Sequence, residues 1–203
     1  MFDARLRPMI DPPLNAIGVR LANAGISANM VTVSGFCLGL LAAVSIAFGC
    51  FLAGFVLIAL NRLFDGLDGA VARASQKTDL GGYLDITFDF FFYGAIPLAF
   101  AIQAPETNAL PAAALLASFY ANGSAFLAFA IMAEKRNLST SNHAAKSLYY
   151  IGGLAEGTET IGLFLLMALL PAWFPILAWA FAGVCLVSAS ARVLIGLRAL
   201  KDR

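Results

Sequence analysis

Two long stretches without a single charged residue, from Leu21 to Asn61 and from Thr160 to Ala191, constrain this chain more than any other feature. A helix crossing a bilayer needs about 20 mainly apolar residues, so each stretch is long enough for one span and part of another. Only helices and closed barrels satisfy their backbone in lipid, and these runs far exceed the ~10-residue alternating segments of a barrel strand. Composition agrees: 61% of the 203 residues are hydrophobic and 12% charged, whereas soluble domains carry about a quarter charged residues. The expected fold is an all-α integral membrane protein. A net charge of +1 without basic or acidic blocks points away from nucleic acid as a partner.

Charges and turn residues divide the apolar tracts into six predicted transmembrane helices. They run from about Val31 to Phe48, Phe51 to Ala74, Tyr83 to Gln103, Leu110 to Met132, Tyr149 to Leu169 and Phe174 to Leu197. Gly49 and Cys50 turn the first junction, Pro105, Asn108 and Pro111 punctuate the third, and Pro171 and Pro175 break the last tract. Six crossings put both termini on one side. On this assignment the Lys and Arg residues of the ends and loops, among them Arg20, Arg73, Lys77, Lys135, Lys146 and Arg198, all fall on that side, and the opposite loops hold none. The positive-inside rule makes it the cytoplasm, as expected of a multi-pass bacterial inner-membrane protein. Ahead of the first span, Leu14, Ile17 and Leu21 share a helical face, Val19 falls among the polar positions, Pro12 and Pro13 supply a helix start and Gly25 a stop. The domain reading is a cytoplasmic arm with a short interfacial helix over residues 1–28, followed by a six-helix membrane catalytic domain over 29–203.

Several chemistries lack material. Cys37, Cys50 and Cys185 are scattered in apolar sequence, as small fillers rather than a disulfide framework or zinc site. His143 is the single histidine, too little for a His-based metal cage or a Ser/His/Asp triad.

The acids, by contrast, are concentrated. Of 12 acidic residues, Asp65, Asp68, Asp79, Asp85 and Asp89 lie between positions 65 and 89. A carboxylate inside a span costs roughly 2.5 to 3.5 kcal/mol on insertion scales, so it is paired, wetted or functional. At about 100° per residue, Asp65 and Asp68 lie about 60° apart and Asp85 and Asp89 about 40° apart, so each pair shares a helix face. The short connection between the two spans predicts antiparallel neighbours whose pairs converge. Four such carboxylates repel one another, and divalent cations resolve that repulsion. Oxygen-only ligands favour a hard ion, Mg²⁺ or Mn²⁺. The competing reading is ion pairing with Arg62, Arg73 and Arg192 inside a bundle. Gly69 and Ala72, one turn apart, leave a flat groove on the same helix, or serve ordinary small-residue packing, and Arg73 offers a forked phosphate donor.

The run Asp65-Gly-Leu-Asp68-Gly69-Ala-Val-Ala72-Arg73, then seven residues, then Gly81-Gly-Tyr-Leu-Asp85-Ile-Thr-Phe-Asp89 resembles the signature of the CDP-alcohol phosphotransferase (CDP-alcohol phosphatidyltransferase) family, with all eight fixed positions present. The family gap is about eight, so the connecting loop is one residue short. Ile26-Ser-Ala-Asn29-Met-Val-Thr32 is similar to the family segment that opens the first span. The resemblance implies a membrane enzyme, typically a homodimer, that transfers a substituted phosphoryl group from a CDP-alcohol to a second alcohol and releases CMP. It implies two metal ions on Asp65, Asp68, Asp85 and Asp89, with Asp89 as proton acceptor. It implies nucleotide contacts from Gly69, Ala72 and Arg73, joined by Asn29, Thr32 and Thr78. The small size of the chain favours CDP-diacylglycerol as donor with a small polar acceptor in phospholipid biosynthesis; transfer from CDP-choline or CDP-ethanolamine to diacylglycerol is the alternative. Lys146, Glu156 and Glu159 are candidate acceptor contacts, and the two glutamates serve equally as partners for Arg192 or Arg62. A reading of another class, a small cation transporter using the same aspartates, calls for polar groups through the full membrane depth, and the outer halves are apolar.

Overall fold

The computed structural model describes residues 3–136 and 157–201, all of whose regular structure is helical. Helix α1 covers Asp3–Asn23, α2 Ala28–Ala47, α3 Phe51–Ala74, α4 Asp79–Gln103, α5 Pro105–Lys135, α6 Gly157–Leu169 and α7 Phe174–Lys201, the last preceded by a single 3₁₀ turn at Pro171–Trp173. Four segments, α2, α4, α5 and the turn with α7, are long and apolar enough to cross a membrane. Helix α3 is 24 residues long but carries Arg62, Asp65, Asp68 and Arg73. Of the fifth expected span, Tyr149 to Leu169, only the part from Gly157 lies within the described residues. The fold class therefore stands, and the count of six rests on composition for α3 and on the described half of the fifth span.

Local chemistry sets the helix ends. Ser27 caps α2, its hydroxyl accepting from the Met30 N–H at 3.3 Å, and Thr78 caps α4 by accepting from Gly81 N–H at 3.1 Å. Gly25 and Gly49, with φ of 81° and 76°, end α1 and α2 in paired reverse bonds: Ile26 N–H to Leu21 carbonyl and Cys50 N–H to Ser45 carbonyl, with Gly25 to Ala22 and Gly49 to Ile46 inside them. This Schellman arrangement needs a left-handed residue and so favours glycine.

Two boundaries differ from the sequence expectation. Helix α1 does not start at Pro12 and Pro13 but runs through them from Asp3. Both prolines are exposed, and the helix continues through them. The break before α5 is the single residue Ala104. Pro105 occupies the first turn, where its missing N–H costs nothing. Asn108, expected in a loop, is buried and donates from Nδ2 to the Phe100 carbonyl at 3.0 Å, tying α5 to the end of α4.

Packing runs through small residues. Helix α1 lies on α3 with Leu14 buried and Gly18 against Ala70, where a Cβ on Gly18 would come within 2.7 Å of the Ala70 backbone. That approach centres the seam on Leu14, Gly18 and Leu21, so Ile17, expected on the packed face, is 41% exposed; Val19, 48% exposed, faces outward as expected. Helix α2 packs against both α3 and α4. Its Gly39 has no room for a Cβ, which would meet Phe92 Cδ2 at 2.7 Å and Asn61 Nδ2 at 3.1 Å. Helix α5 lies along α4 and α7, and α6 against α3. Aromatic rings bind the centre: Phe92 meets Phe164 edge-on at 5.8 Å, and Phe100 stacks on Phe174 at 4.4 Å. Side chains such as Leu41, Ile102 and Ile176 point outward, more than half exposed; an apolar exterior of this kind suits lipid. Cys37 and Cys50 are also exposed, whereas Cys185 is buried.

The close approach at Gly39 gives a testable consequence. Phe92 is 2% exposed and held by Phe164, so it cannot retreat, and Gly39→Ala lowers stability by about 1 to 3 kcal/mol through overpacking. A Cβ on Gly162 meets nothing within 4 Å, so Gly162→Ala leaves the thermal midpoint in detergent unchanged or raised. Equal midpoints for the two variants contradict the packing described.

Candidate functional site

Three helices contribute to one groove, lined from α2 by Thr32, Gly35 and Phe36, from α3 by Asn61, Asp65 and Asp68, and from α4 by Asp85, Phe88 and Asp89. The expected convergence of the two aspartate pairs is present, but its geometry differs from a packed antiparallel hairpin. Helices α3 and α4 barely touch; α2 packs on both and bridges them. The gap left between the two acidic faces is the groove itself.

Asp65, Asp85 and Asp89 each place a carboxylate oxygen so that all three lie within 4.8 Å of one another. Asp68 lines the same groove but is held differently. It is 8% exposed, and its Oδ2 accepts from the Thr32 hydroxyl at 2.7 Å, a proton that the Ala28 carbonyl, at 3.0 Å, competes for. Thr32, a nucleotide candidate from sequence, is therefore in contact with the fourth aspartate. Arg62 donates from Nη1 to Asp65 Oδ2 one turn away. Asn61 donates from Nδ2 to the Gly35 carbonyl at 2.9 Å, fixing α2 to α3 beside the acids. Phe36 and Phe88 stack at 4.2 Å with planes 8° apart and form an apolar wall between α2 and α4.

This donor set fits a divalent cation. Three like charges within 4.8 Å repel one another by roughly 3 kcal/mol per pair at an effective dielectric near 20, a cost that a cation between them reverses. The ligands are all oxygen, the preference of Mg²⁺ and Mn²⁺.

The remaining nucleotide candidates are not among the described residues that line the groove. The Arg73 guanidinium turns back over Gly69, where a Cβ would stand 3.4 Å from its Nη1. The ion-pair reading expected an aspartate partner, and among the described residues Arg73 has none. Both Nε and Nη2 donate to Oδ1 of Asn15 on α1, at 3.1 and 2.9 Å. Ala72 is half-buried beside it. Asn29 and Thr78 converge on Gly81, where a Cβ would lie 3.1 Å from Asn29 Oδ1 and 3.2 Å from Thr78 Oγ1. Space at that position is thus limited by the two polar side chains. Lys146 and Glu156 lie outside the described residues. Glu159, half-buried in the first turn of α6, is not among the described residues lining the groove, and Arg192 lies over the Phe126 ring at 5.1 Å.

Sequence reasoning did not single out Asn61, Phe36, Phe88 or Asn15 as site residues. For Asn61 a signal existed, because it precedes Asp65 by four residues and shares its helix face. For Asn15 none did: its partner is 58 residues away on another helix.

A family model described as CDP-alcohol phosphatidyltransferase matches residues 25–191. The chain is 48% identical over 202 residues to the inner membrane protein YnjF of Escherichia coli strain K12, covering 100% of this chain and 98% of that protein. It is 38% identical over 87 residues to an archaetidylinositol phosphate synthase of Pyrococcus horikoshii, covering 42% of this chain and 46% of that enzyme. A synthase of the same name from Methanothermobacter thermautotrophicus is 36% identical over 93 residues, 45% of this chain and 46% of that enzyme. The chain thus matches a little under half the length of either synthase. No solved structure gives a significant match.

Proposed function

Because the chain belongs to the CDP-alcohol phosphatidyltransferase family and is a membrane transferase of substituted phosphate groups, we propose that it moves a phosphatidyl group from CDP-diacylglycerol to a small polar alcohol and releases CMP. The convergence of Asp65, Asp85 and Asp89 within 4.8 Å carries this reading. The full eight-residue signature and the oxygen-only groove support it.

In this proposal Asp65, Asp85 and Asp89 hold the metal, with Asp68 completing the set. A bound Mg²⁺ or Mn²⁺ supplies charge neutralisation at the diphosphate and at the departing CMP. Arg73 and Gly69, with Ala72, Asn29 and Thr78 nearby, receive the cytidine nucleotide. Asp89 takes the proton of the acceptor hydroxyl as that oxygen attacks the β-phosphorus. The bond from the β-phosphorus to the oxygen bridging the α-phosphorus breaks, and CMP leaves with that oxygen. General base catalysis contributes about 10²- to 10⁴-fold. The Phe36–Phe88 wall excludes water from this side of the groove. We further propose a homodimer, as the family resemblance implies, with both termini and the active site on the cytoplasmic side; the one-sided Lys and Arg distribution supports that orientation.

The acceptor is chosen by experiment. Two similar proteins are named for archaetidylinositol phosphate synthesis, so a polyol phosphate enters the panel beside serine, glycerol 3-phosphate, inositol and choline. Purified protein with Mg²⁺ and CDP-diacylglycerol is expected to release CMP with one or a few of these, and not when CDP-choline and diacylglycerol are the pair. Release only with CDP-choline and diacylglycerol overturns the donor assignment.

A further inference from the structure

Helix α1 lies ahead of the family match, which begins at residue 25, yet its Asn15 meets Arg73 at the end of the helix that carries Asp65 and Asp68. We propose that Asn15 is a positioning residue for the nucleotide site: it fixes the plane of the Arg73 guanidinium so that the free edge of that group faces the groove over Gly69. The inference rests on the reading of Arg73 as a contact for the cytidine diphosphate moiety.

Three observations support it. First, the contact is specific in chemistry. A guanidinium has five N–H donors and no acceptor, so the Asn15 atom it meets is the amide oxygen, and one oxygen takes Nε–H and an Nη2–H together, at 3.1 and 2.9 Å. Two bonds to one atom hold the guanidinium plane as well as its position. The Nη1 group is left over Gly69, 3.4 Å from where a Cβ would stand. Second, Asn15 is itself held rigidly. Its neighbours on the seam, Leu14 and Gly18, pack against Gly66 and Ala70 of α3 so closely that a Cβ on Gly66 would lie 2.9 Å from Leu14 Cδ1 and one on Gly18 2.7 Å from Ala70. Those partners are one to two turns before Arg73 on the same helix. Third, Arg73 is exposed at the helix end; a long side chain there otherwise samples many rotamers, and ordering it costs conformational entropy. Paying part of that cost before the nucleotide arrives is the advantage of preorganisation.

The test is a double-mutant cycle on binding of CMP to the purified full chain in detergent with Mn²⁺ present, together with the paramagnetic resonance signal of bound Mn²⁺. Asn15→Leu keeps the side-chain volume and removes the acceptor. It is expected to weaken CMP binding about 5- to 10-fold, the scale of one or two net hydrogen bonds, with Mn²⁺ binding unchanged. Asn15→Asp, which keeps the oxygen, is expected to bind CMP within about twofold of wild type. In an Arg73→Ala background Asn15→Leu adds nothing, because coupled residues are not additive. If Arg73→Ala weakens CMP binding while Asn15→Leu has no effect, or has the same effect with and without Arg73, the positioning role is overturned. If Arg73→Ala itself leaves CMP binding intact, it is the nucleotide assignment of Arg73 that fails. A loss of CMP and Mn²⁺ binding together in Asn15→Leu marks a general structural role and also overturns the proposal.

Discussion

Asp89→Asn is expected to lower CMP release by at least about 10³-fold, within the range that removal of a general base produces, while CMP still binds. The substitution keeps the size and shape of the side chain in the groove and removes its capacity to take a proton. Asp89 is on the groove wall, one turn beyond Asp85, with an oxygen within 4.8 Å of those of Asp65 and Asp85. Release of CMP is read in a single-turnover assay, and CMP affinity is measured separately by calorimetry. Full activity in this variant removes Asp89 from the chemistry. Loss of activity together with loss of Mn²⁺ or CMP affinity assigns the effect to Asp89 as a metal ligand and not as the base.

Asp65→Ala is expected to have an equal or larger effect by a different route. Phosphoryl transfer gains almost all its acceleration from positioning and electrostatic stabilisation, so the group holding the cation matters as much as the base. Asp65 stands between Arg62, which donates to it, and the other two acids. Its removal deletes one ligand and one negative charge from the site, so the site loses attraction for a cation. The expected outcome is loss of the bound-Mn²⁺ resonance signal and of CMP release, with the thermal midpoint of the metal-free protein close to wild type. Retained Mn²⁺ binding contradicts the assignment of Asp65 as a ligand.

Much of this was legible in the sequence because membrane helices obey few and strong rules. The charge-free tract, with Gly49 turning it, marks α3 at Phe51–Ala74, the bounds the structure has. The i, i+3 and i, i+4 spacings placed each aspartate pair on one face, and both faces meet at the groove. What the sequence did not disclose depends on tertiary contact. A short connection between α3 and α4 suggests that they pack together, yet the glycine face of α2 lets its backbone approach both and hold them apart. The proline pair in α1 reads as a helix start by local rules, but both prolines are exposed and the helix runs through them from Asp3. Arg73 was expected to meet an acid or a phosphate, and its described partner is Asn15, on a helix that no local pattern connects to α3.

The central proposal is that the aspartate groove is a metal-dependent site for breaking a CDP-alcohol diphosphate. The most direct measurement is CMP release from CDP-diacylglycerol by the purified protein, stripped with a chelator and then titrated with Mg²⁺ or Mn²⁺ in the presence of the acceptor panel. The predicted result is no release from the stripped protein, restoration by added metal, and no restoration in Asp89→Asn. Release that is indifferent to the chelator, or no CMP from any CDP-alcohol with any acceptor, would contradict it.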